Sequence, residues 1–263
     1  MQGKVALVLG VANKWSIAYA IAQAFIREGA QVILTYQGER QKQTVEELAA
    51  ELKASLTLPC DVTQDAQLDA LANELKGRGT VLNAVVHSIA FANREDLSRP
   101  FVETSRAGFA LAQDVSAYSL VAVARATASL MAAPGEGGGS IMTLTYLGST
   151  RVVEHYNVMG VAKASLEASV RYLAADLGGS NIRVNAISAG AVKTTSARGI
   201  RDFTKMLEGG AKLAPLRRNT DPAEVADTAV FLASDLGRGV TGNVIYVDAG
   251  VQIMGFALPA LTP

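Results

Sequence analysis

The chain has 263 residues, of which 49% are hydrophobic and 18% charged, a balance typical of globular proteins and too apolar for a disordered one. Its 24 basic residues cancel its 24 acidic ones, so no net charge favours nucleic acid or an anionic membrane surface. The single cysteine, Cys60, excludes an intrachain disulfide framework and indicates a reducing, cytoplasmic compartment.

Short β-branched runs alternate with longer helical stretches along the chain, the pattern of a mostly parallel sheet covered by helices. The predicted strands are Lys4 to Leu9, Gln31 to Thr35, Ser55 to Leu58, Val81 to Val86, Ser140 to Thr145, Ile182 to Ile187 and Asn243 to Val247. The predicted helices include Ser16 to Glu28, Thr44 to Lys53, Asp65 to Lys76, Val161 to Leu177 and one that starts at Asp221. We therefore predict an α/β fold, a single doubly wound Rossmann-type domain over residues 1–263 with a seven-stranded, mostly parallel sheet and helices on both faces.

The stretch from Ala189 to Thr220 interrupts this alternation with a loop and a short amphipathic piece, Ile200 to Leu207. In a doubly wound sheet, an excursion beyond the carboxyl end of a strand lies over the ligand crevice. We therefore expect residues of about 190–218 to form a small substrate-binding lid. The part from Lys193 to Arg218 carries seven basic residues against two acidic ones, which indicates either a solvated loop or a docking surface for an acidic partner.

The first strand ends at Gly10, and the chain then enters a helix at Ser16. A strand followed by a tight turn and a helix lets backbone N–H groups and the helix dipole receive a pyrophosphate. Only the first glycine of the usual dinucleotide motif is present, so a plain structural turn is an equal alternative for this segment alone. After the second strand, Gln37 could hydrogen-bond a ribose hydroxyl, whereas Arg40 could accept a 2′-phosphate. We expect NADH, with NADPH as the alternative.

The segment from Tyr156 to Lys163 predicts the chemistry. Residues seven apart on a helix differ by about 20° in azimuth and about 10 Å along the axis, so the phenol and the ammonium share a face. An ammonium beside a bound ribose can hold its hydroxyls and lower the pKa of a nearby phenol. Such a phenol is a good hydrogen-bond donor to a developing oxyanion.

At this point the chain resembles the short-chain dehydrogenases/reductases and, within them, the bacterial enoyl-acyl-carrier-protein reductases, from Gly3 to Gly250. Ketoreductases of the superfamily carry a tyrosine four residues before the lysine and a serine thirteen residues before that tyrosine. Here those positions are Met159 and Tyr146, and Tyr146 with Tyr156 and Lys163 is the enoyl-reductase pattern. The motifs that carry the resemblance are GVANKWSIAYAIA, TYQ, CDVT, VHSIAFA, LTYLGS, YNVMGVAKASLEA, RVNAISAGAVKT and NVIYVDAG.

The resemblance implies three groups of functional residues. The catalytic residues are Tyr146, Tyr156 and Lys163. The cofactor site comprises Gly10, Val11, Ser16, Ile17, Gln37, Asp61, Val62, Ser88, Ile89, Ala90, Lys163, Val192 and Thr194. The acyl chain is surrounded by Ala92, Tyr146, Tyr156, Met159, Ile200, Phe203 and Met206. Two features depart from the family pattern: Ala90 replaces the usual glycine, and Glu154-His155 replace the usual Pro-Asn.

The resemblance also implies a function: NADH-dependent reduction of the trans-2 double bond of enoyl thioesters on acyl carrier protein, the last step of the fatty-acid elongation cycle. It implies a cytoplasmic homotetramer, with neither nucleic acid nor membrane as partner. The two histidines lack further ligands, which predicts no metal site, and His87 is expected to pack beside the cofactor. Trp15 and Tyr172 are expected to pack on helices. The rival functions are a ketoreductase of the same superfamily and a nucleotide-sensing regulator that has lost catalysis.

Overall fold

The computed structural model describes residues 1–133, 137–192 and 203–255, without the side chains of Phe203 and Met206. Seven parallel strands form one sheet in the order β3-β2-β1-β4-β5-β6-β7. They are β1 (Val5–Leu9), β2 (Gln31–Tyr36), β3 (Leu56–Pro59), β4 (Ala84–His87), β5 (Gly139–Thr145), β6 (Ile182–Ala189) and β7 (Val244–Val247). The predicted doubly wound fold is confirmed. β4 begins later than predicted, because Leu82 makes an isolated bridge with Met131 instead of joining the strand.

The helices of the described residues lie between the strands. They are α1 (Ile17–Arg27), α2 (Glu39–Leu52), α3 (Asp65–Gly77), α4 (Arg94–Ser98), α5 (Arg106–Gln113), α6 (Ser119–Thr127), α7 (Asn157–Gly178), α8 (Phe203–Leu213) and α9 (Pro222–Ala233). The predicted start at Asp221 is confirmed, because its side chain accepts from the Ala223 N–H and Glu224 closes a capping box. Two helices begin earlier than predicted. The start of α2 is Glu39, whose polar first turn masks the apolar periodicity. The start of α7 is Asn157, four residues before the predicted Val161.

The core consists of two apolar layers, one on each face of the sheet. Successive residues of a strand point to opposite faces, so Ala6 and Val8 join one layer and Leu7 and Leu9 the other. The first layer contains buried residues of α1, α2 and α9, and the second contains those of α3, α6 and α7. Strands buried on both faces explain the near-continuous Val, Ile and Leu content that predicted them.

A π-helical turn, Asp114–Tyr118, joins α5 to α6 and makes one long apolar helical stretch. By length and composition, Arg106–Leu130 could cross a membrane, the one such helix among the described residues, and 56% of its apolar window is buried inside the protein. Core helices of globular proteins pass the same test, so the stretch is weak evidence for a span.

Two aromatic residues do not pack as expected. The side chain of Trp15 is 66% exposed and lies in the loop before α1, and that of Tyr172 is 75% exposed on α7. The prediction that both would pack on helices is therefore wrong within this chain. Cys60, by contrast, is buried, and burial raises the pKa of its thiol to about 12, which makes it a poor nucleophile.

Candidate active site

The crevice lies where the strand order reverses, between the carboxyl ends of β1 and β4. Gly10 follows β1 with a φ of 95°, and a Cβ on this residue would collide with the Ser88 carbonyl group that follows β4. The Ser88 N–H in turn donates to the Leu9 carbonyl at 3.1 Å. Gly10 is therefore required both for its backbone conformation and for the close approach of the two strand ends.

Replacing Gly10 by alanine tests that requirement. We expect Gly10→Ala to lose at least about 1–3 kcal/mol of unfolding free energy, because the left-handed conformation and the contact with Ser88 both oppose a Cβ. Gly3→Ala is the matched control, since Gly3 has a φ of 72° and open space around it. Urea unfolding should show a clearly smaller loss for Gly3→Ala, and equal losses would contradict the role given to Ser88.

The loop after Gly10 leads into the amino terminus of α1. Ser16 caps this helix: its hydroxyl accepts from the Tyr19 N–H at 3.2 Å and donates to the Asn13 carbonyl at 2.7 Å. The first N–H groups of a helix, here including that of Ile17, lack helical partners and present a positive end of the dipole. The predicted residues Gly10, Val11, Ser16 and Ile17 are thus brought together at one anion-compatible end of a helix.

Two further predicted cofactor residues are joined at the ends of β2 and β3. The Gln37 side-chain amide donates to the Asp61 carboxylate at 3.2 Å, and Thr63 donates to the same carboxylate through its N–H and hydroxyl. Burial tends to raise the pKa of Asp61, but these hydrogen bonds lower it below its ordinary value. Gln37 thus already uses an amide N–H on Asp61, which the sequence did not indicate. Val62, beside them, is buried.

The loop after β4 carries Ser88, Ile89, Ala90 and Ala92. A residue that the sequence analysis missed holds it: the Ser116 hydroxyl accepts from the Phe91 N–H at 2.9 Å and donates to the Phe91 carbonyl at 3.0 Å. Ser116 lies in the π-helical turn, an irregularity that is frequent at functional sites. No spacing in the sequence marks that turn.

Tyr156 immediately precedes α7 and packs edge-to-face on Tyr146, with ring centroids 5.0 Å apart and an interplanar angle of 69°. Its neighbours His155 and Asn157 have positive φ angles of 63° and 38°. The Asn157 side chain stabilises this conformation by donating to the Arg99 carbonyl at 2.8 Å. A backbone held in sparsely populated conformations on both sides of one side chain is typical of a functional site.

Both phenols remain protonated at neutral pH. Burial raises the pKa of Tyr156 above its ordinary value, and Tyr146 raises it further. Burial also raises the pKa of Tyr146, with a second contribution from Asp248. That Lys163 lowers the phenol pKa when a ribose is bound stays a prediction, and in this structure burial is the largest contribution to the pKa of Tyr156. Tyr156 is a neutral hydrogen-bond donor.

Lys163 is buried on α7, and its ammonium donates to the Leu144 carbonyl at 2.7 Å. Leu144 lies two residues before Tyr146, so the strand end of β5 links the lysine to the tyrosine pair. Burial lowers the pKa of Lys163 to about 8, while Glu167 acts in the opposite direction. The predicted catalytic residues Tyr146, Tyr156 and Lys163 therefore all lie at the carboxyl end of β5.

His87 ends β4 in the same neighbourhood. Its ring nitrogens lie 2.9 Å from the Thr143 hydroxyl and 2.7 Å from the Ser119 hydroxyl. Burial lowers its pKa to about 3, and the charge of Lys163 contributes in the same direction. The ring is therefore neutral and tied on both sides, which fits the predicted packing role and not that of an acid or base.

The predicted acyl-chain residues Ala92, Tyr156 and Met159 belong to one small apolar cluster with Ala112, Val158 and Ala162. A cavity of about 320 Å³ is lined by Tyr146 and by residues of α8, including Gly210 and Leu213. Because Ala189 and Asp248 line the same cavity, α8 lies beside the ends of β6 and β7.

The lid helix differs from its predicted extent. Of the predicted amphipathic piece Ile200 to Leu207, the described residues belong to α8, which continues through Gly209 and Gly210 to Leu213, although glycine is unfavourable inside a helix. Val192 is buried next to this region. Thr194 and Ile200 lie outside the described residues, as do the side chains of Phe203 and Met206.

The assembled residues fit a dinucleotide. Gly10 lies at the crevice between β1 and β4, and the chain passes from it into the amino terminus of α1. The Lys163 ammonium is buried at the end of β5, the strand next to β4. This combination of donors matches a pyrophosphate and ribose hydroxyls. In the part of the chain that the structure describes, no three His, Cys, Asp or Glu side chains are grouped to hold a metal ion.

Comparison with known proteins identifies close relatives. The family described as Enoyl-(Acyl carrier protein) reductase matches residues 10–252. The chain is 56% identical to the NADH-dependent enoyl-acyl-carrier-protein reductase FabI of Bacillus cereus, covering 97% of this chain and 99% of that protein. It is 46% identical to the FabI of Escherichia coli, over 96% of this chain and 95% of that protein.

Solved structures of enoyl-acyl-carrier-protein reductases have the same fold as this chain. A crystal structure of the Bacillus cereus enoyl-acyl carrier protein reductase with NADP⁺ and an indole naphthyridinone has a TM-score of 0.93 at 56% identity, covering 97% of this chain and 98% of that one. The NADH enoyl-acyl-carrier-protein reductase of Aquifex aeolicus has a TM-score of 0.93 at 46% identity, covering 97% and 99%.

Proposed function

The chain belongs to the enoyl-(acyl carrier protein) reductase family, and from that premise we propose that Tyr156 and Lys163 carry its chemistry. The protein is an NADH-dependent enoyl-acyl-carrier-protein reductase, which reduces the trans-2 double bond of enoyl thioesters in fatty-acid synthesis. The observation that supports the residue roles is a protonated phenol and a buried ammonium at the same strand end. We propose that the remaining site residues predicted from the sequence bind the cofactor or surround the acyl chain, as the resemblance implies.

The mechanism requires stabilisation of negative charge on the thioester carbonyl oxygen. Bound reduced nicotinamide would supply a hydride to the β-carbon of the conjugated double bond, which places negative charge on that oxygen, and a proton from solvent would complete the reduction at the α-carbon. The Tyr156 hydroxyl donates a hydrogen bond to the oxygen as its charge develops. Lys163 would hold the ribose hydroxyls of the bound cofactor, while Tyr146 fixes the plane of the Tyr156 ring through the edge-to-face contact. Gly10 and the amino terminus of α1 hold the pyrophosphate.

A substrate comparison tests this function against the ketoreductase alternative. We expect purified protein to oxidise NADH with a crotonyl thioester and to leave an acetoacetyl thioester unreduced, because the serine position of ketoreductases is occupied by Tyr146. The loss of NADH absorbance measures both reactions.

The crotonyl thioester of acyl carrier protein should show a lower KM than a small crotonyl thioester if basic residues dock the carrier. Added salt should then raise the KM of the carrier-bound substrate to that of the small one, because salt screens the charges.

The controls separate the alternatives. Preferred reduction of the acetoacetyl thioester would support a ketoreductase. NADH binding without turnover of either substrate would support a nucleotide-sensing regulator. Equal KM values for the small and the carrier-bound thioester at low salt would count against docking through the lid.

We propose that the carrier docks on the basic side of the lid. Lys205, Lys212 and Arg217 are exposed on α8 and just after it, which supports the docking alternative. Arg218, by contrast, pairs with Glu224 at 2.6 Å and contributes little net charge. Lys193, Arg198 and Arg201, which complete the basic surplus, lie outside the described residues.

We also propose that residues 1–263 form one domain of a cytoplasmic homotetramer that binds neither nucleic acid nor membrane nor a metal ion. The exposed aromatic side chains of Phe109 and Tyr118 near the π-helical turn, and of Tyr172 on α7, support self-association. Sedimentation of the purified protein would test the assembly, since a monomer at micromolar concentration would contradict it.

A further inference from the structure

Two buried, charged side chains lie one turn apart on α7. Lys163 is 5% exposed and Glu167 is 6% exposed, and residues four apart share one face of a helix. Both bind the end of β5: the Lys163 ammonium donates to the Leu144 carbonyl, and the Thr145 hydroxyl donates to the Glu167 carboxylate at 2.6 Å. The two side chains therefore hold consecutive residues of the strand just before Tyr146.

A buried ammonium needs a compensating charge. Burial alone lowers the pKa of Lys163, and Glu167 raises it in opposition. The other titratable groups described around this strand end are His87 on β4, the phenols of Tyr146 and Tyr156, and Asp248 after β7, which acts on Tyr146. His87 is neutral above a pH of about 3, and both phenols have raised pKa values, so none of these three offsets the ammonium at neutral pH. The Asp248 carboxylate accepts from the Gly250 and Gln252 N–H groups and does not shift the pKa of Lys163, whereas Glu167 does.

We propose that Glu167 is a positioning residue that keeps Lys163 protonated at the working pH of the enzyme. Glu167 makes no contact with substrate in this account, and it forms or breaks no bond. It acts through the ammonium, whose charge holds the nicotinamide ribose, so the inference rests on the role proposed for Lys163. The i, i+4 spacing places the carboxylate on the face of α7 that carries the lysine, and the Thr145 hydroxyl satisfies part of its hydrogen-bonding capacity.

The pH dependence of NADH binding tests this inference without turnover. In the unchanged protein, affinity falls as the pH rises through about 8, because the ammonium is lost. In Glu167→Gln, the same fall occurs about one pH unit lower, since an opposite charge nearby typically raises a pKa by that amount or more. Titration of nicotinamide fluorescence should show equal affinities at pH 6 and about five-fold weaker binding by the variant at pH 8.

Two further variants separate charge from structure. Thr145→Val removes the hydrogen bond but keeps the carboxylate, and its binding curve should fall near the same pH as that of the unchanged protein. Glu167→Met fills similar space without charge and should reproduce the shift if Glu167→Gln fails to fold. A loss of affinity that is uniform across pH, or unshifted curves for both charge-free variants, overturns the inference. If crotonyl reduction persists in the unchanged protein, such a result leaves the proposed function standing.

Discussion

Tyr156→Phe should lower kcat for a crotonyl thioester by about 10²–10³, the usual cost of removing one donor from a developing oxyanion. Burial and Tyr146 keep the Tyr156 phenol protonated, so its O–H is available to the substrate carbonyl oxygen over the neutral pH range. The affinity for NADH should stay within about two-fold, because the ring and its contacts persist in phenylalanine. Stopped-flow reduction and fluorescence titration measure the two quantities separately.

Tyr146→Phe is the matched control for that substitution. It also removes one phenol hydroxyl but keeps the edge-to-face contact at 5.0 Å, so kcat should fall far less than in Tyr156→Phe. Comparable losses in the two variants would mean that the hydroxyl of Tyr146 shares the donor role. Unchanged kcat in Tyr156→Phe would reject the proposed mechanism.

Lys163→Met should weaken NADH binding on the order of 10- to 100-fold, because a hydrogen bond from a charged group contributes about 1.5–3 kcal/mol. Methionine fills the same buried space on α7 but removes both the proposed contact with the ribose and the hydrogen bond to the Leu144 carbonyl, so circular dichroism has to show that the variant is folded before the affinities are compared. Isothermal titration at pH 7, where the lysine is mostly protonated, measures the effect.

The control for the lysine is Lys212→Met, which removes an exposed ammonium from α8. Its NADH affinity should not change, since the side chain lies on the proposed carrier-docking side. If Lys163→Met bound NADH as tightly as the unchanged protein while remaining folded, the lysine would have no role in holding the ribose.

The sequence was sufficient to predict the sheet, because buried parallel strands have near-continuous apolar runs and Gly10 ends the first of them at a turn. That Tyr156 and Lys163 share a face of one helix stays a prediction, since Tyr156 immediately precedes α7 and Lys163 lies within it. The start of α7 could not be predicted from the sequence: the predicted helix began at Val161, whereas the helix begins at Asn157. The positive φ of Asn157 is stabilised by a hydrogen bond to a carbonyl 58 residues away. Such tertiary contacts leave no local pattern.

The residues that the prediction missed act through contacts between elements that are distant in sequence. Ser116 in the π-helical turn holds Phe91 in the loop after β4, and Glu167 on α7 accepts from Thr145 at the end of β5. Neither pair is close in sequence, so periodicity could not join them. The prediction for Trp15 and Tyr172 was wrong because it relied on the general tendency of aromatic side chains to be buried. In the folded chain both side chains are exposed.

The central claim is that the phenol of Tyr156 and the ammonium of Lys163 both face the nicotinamide ribose. A crystal structure of the protein with bound NAD⁺ tests it most directly. We predict hydrogen-bond distances from the Lys163 ammonium to the ribose hydroxyls, and a Tyr156 hydroxyl directed to the space above the nicotinamide ring. A Tyr156 side chain that points into the core, away from the bound nucleotide, would contradict the account.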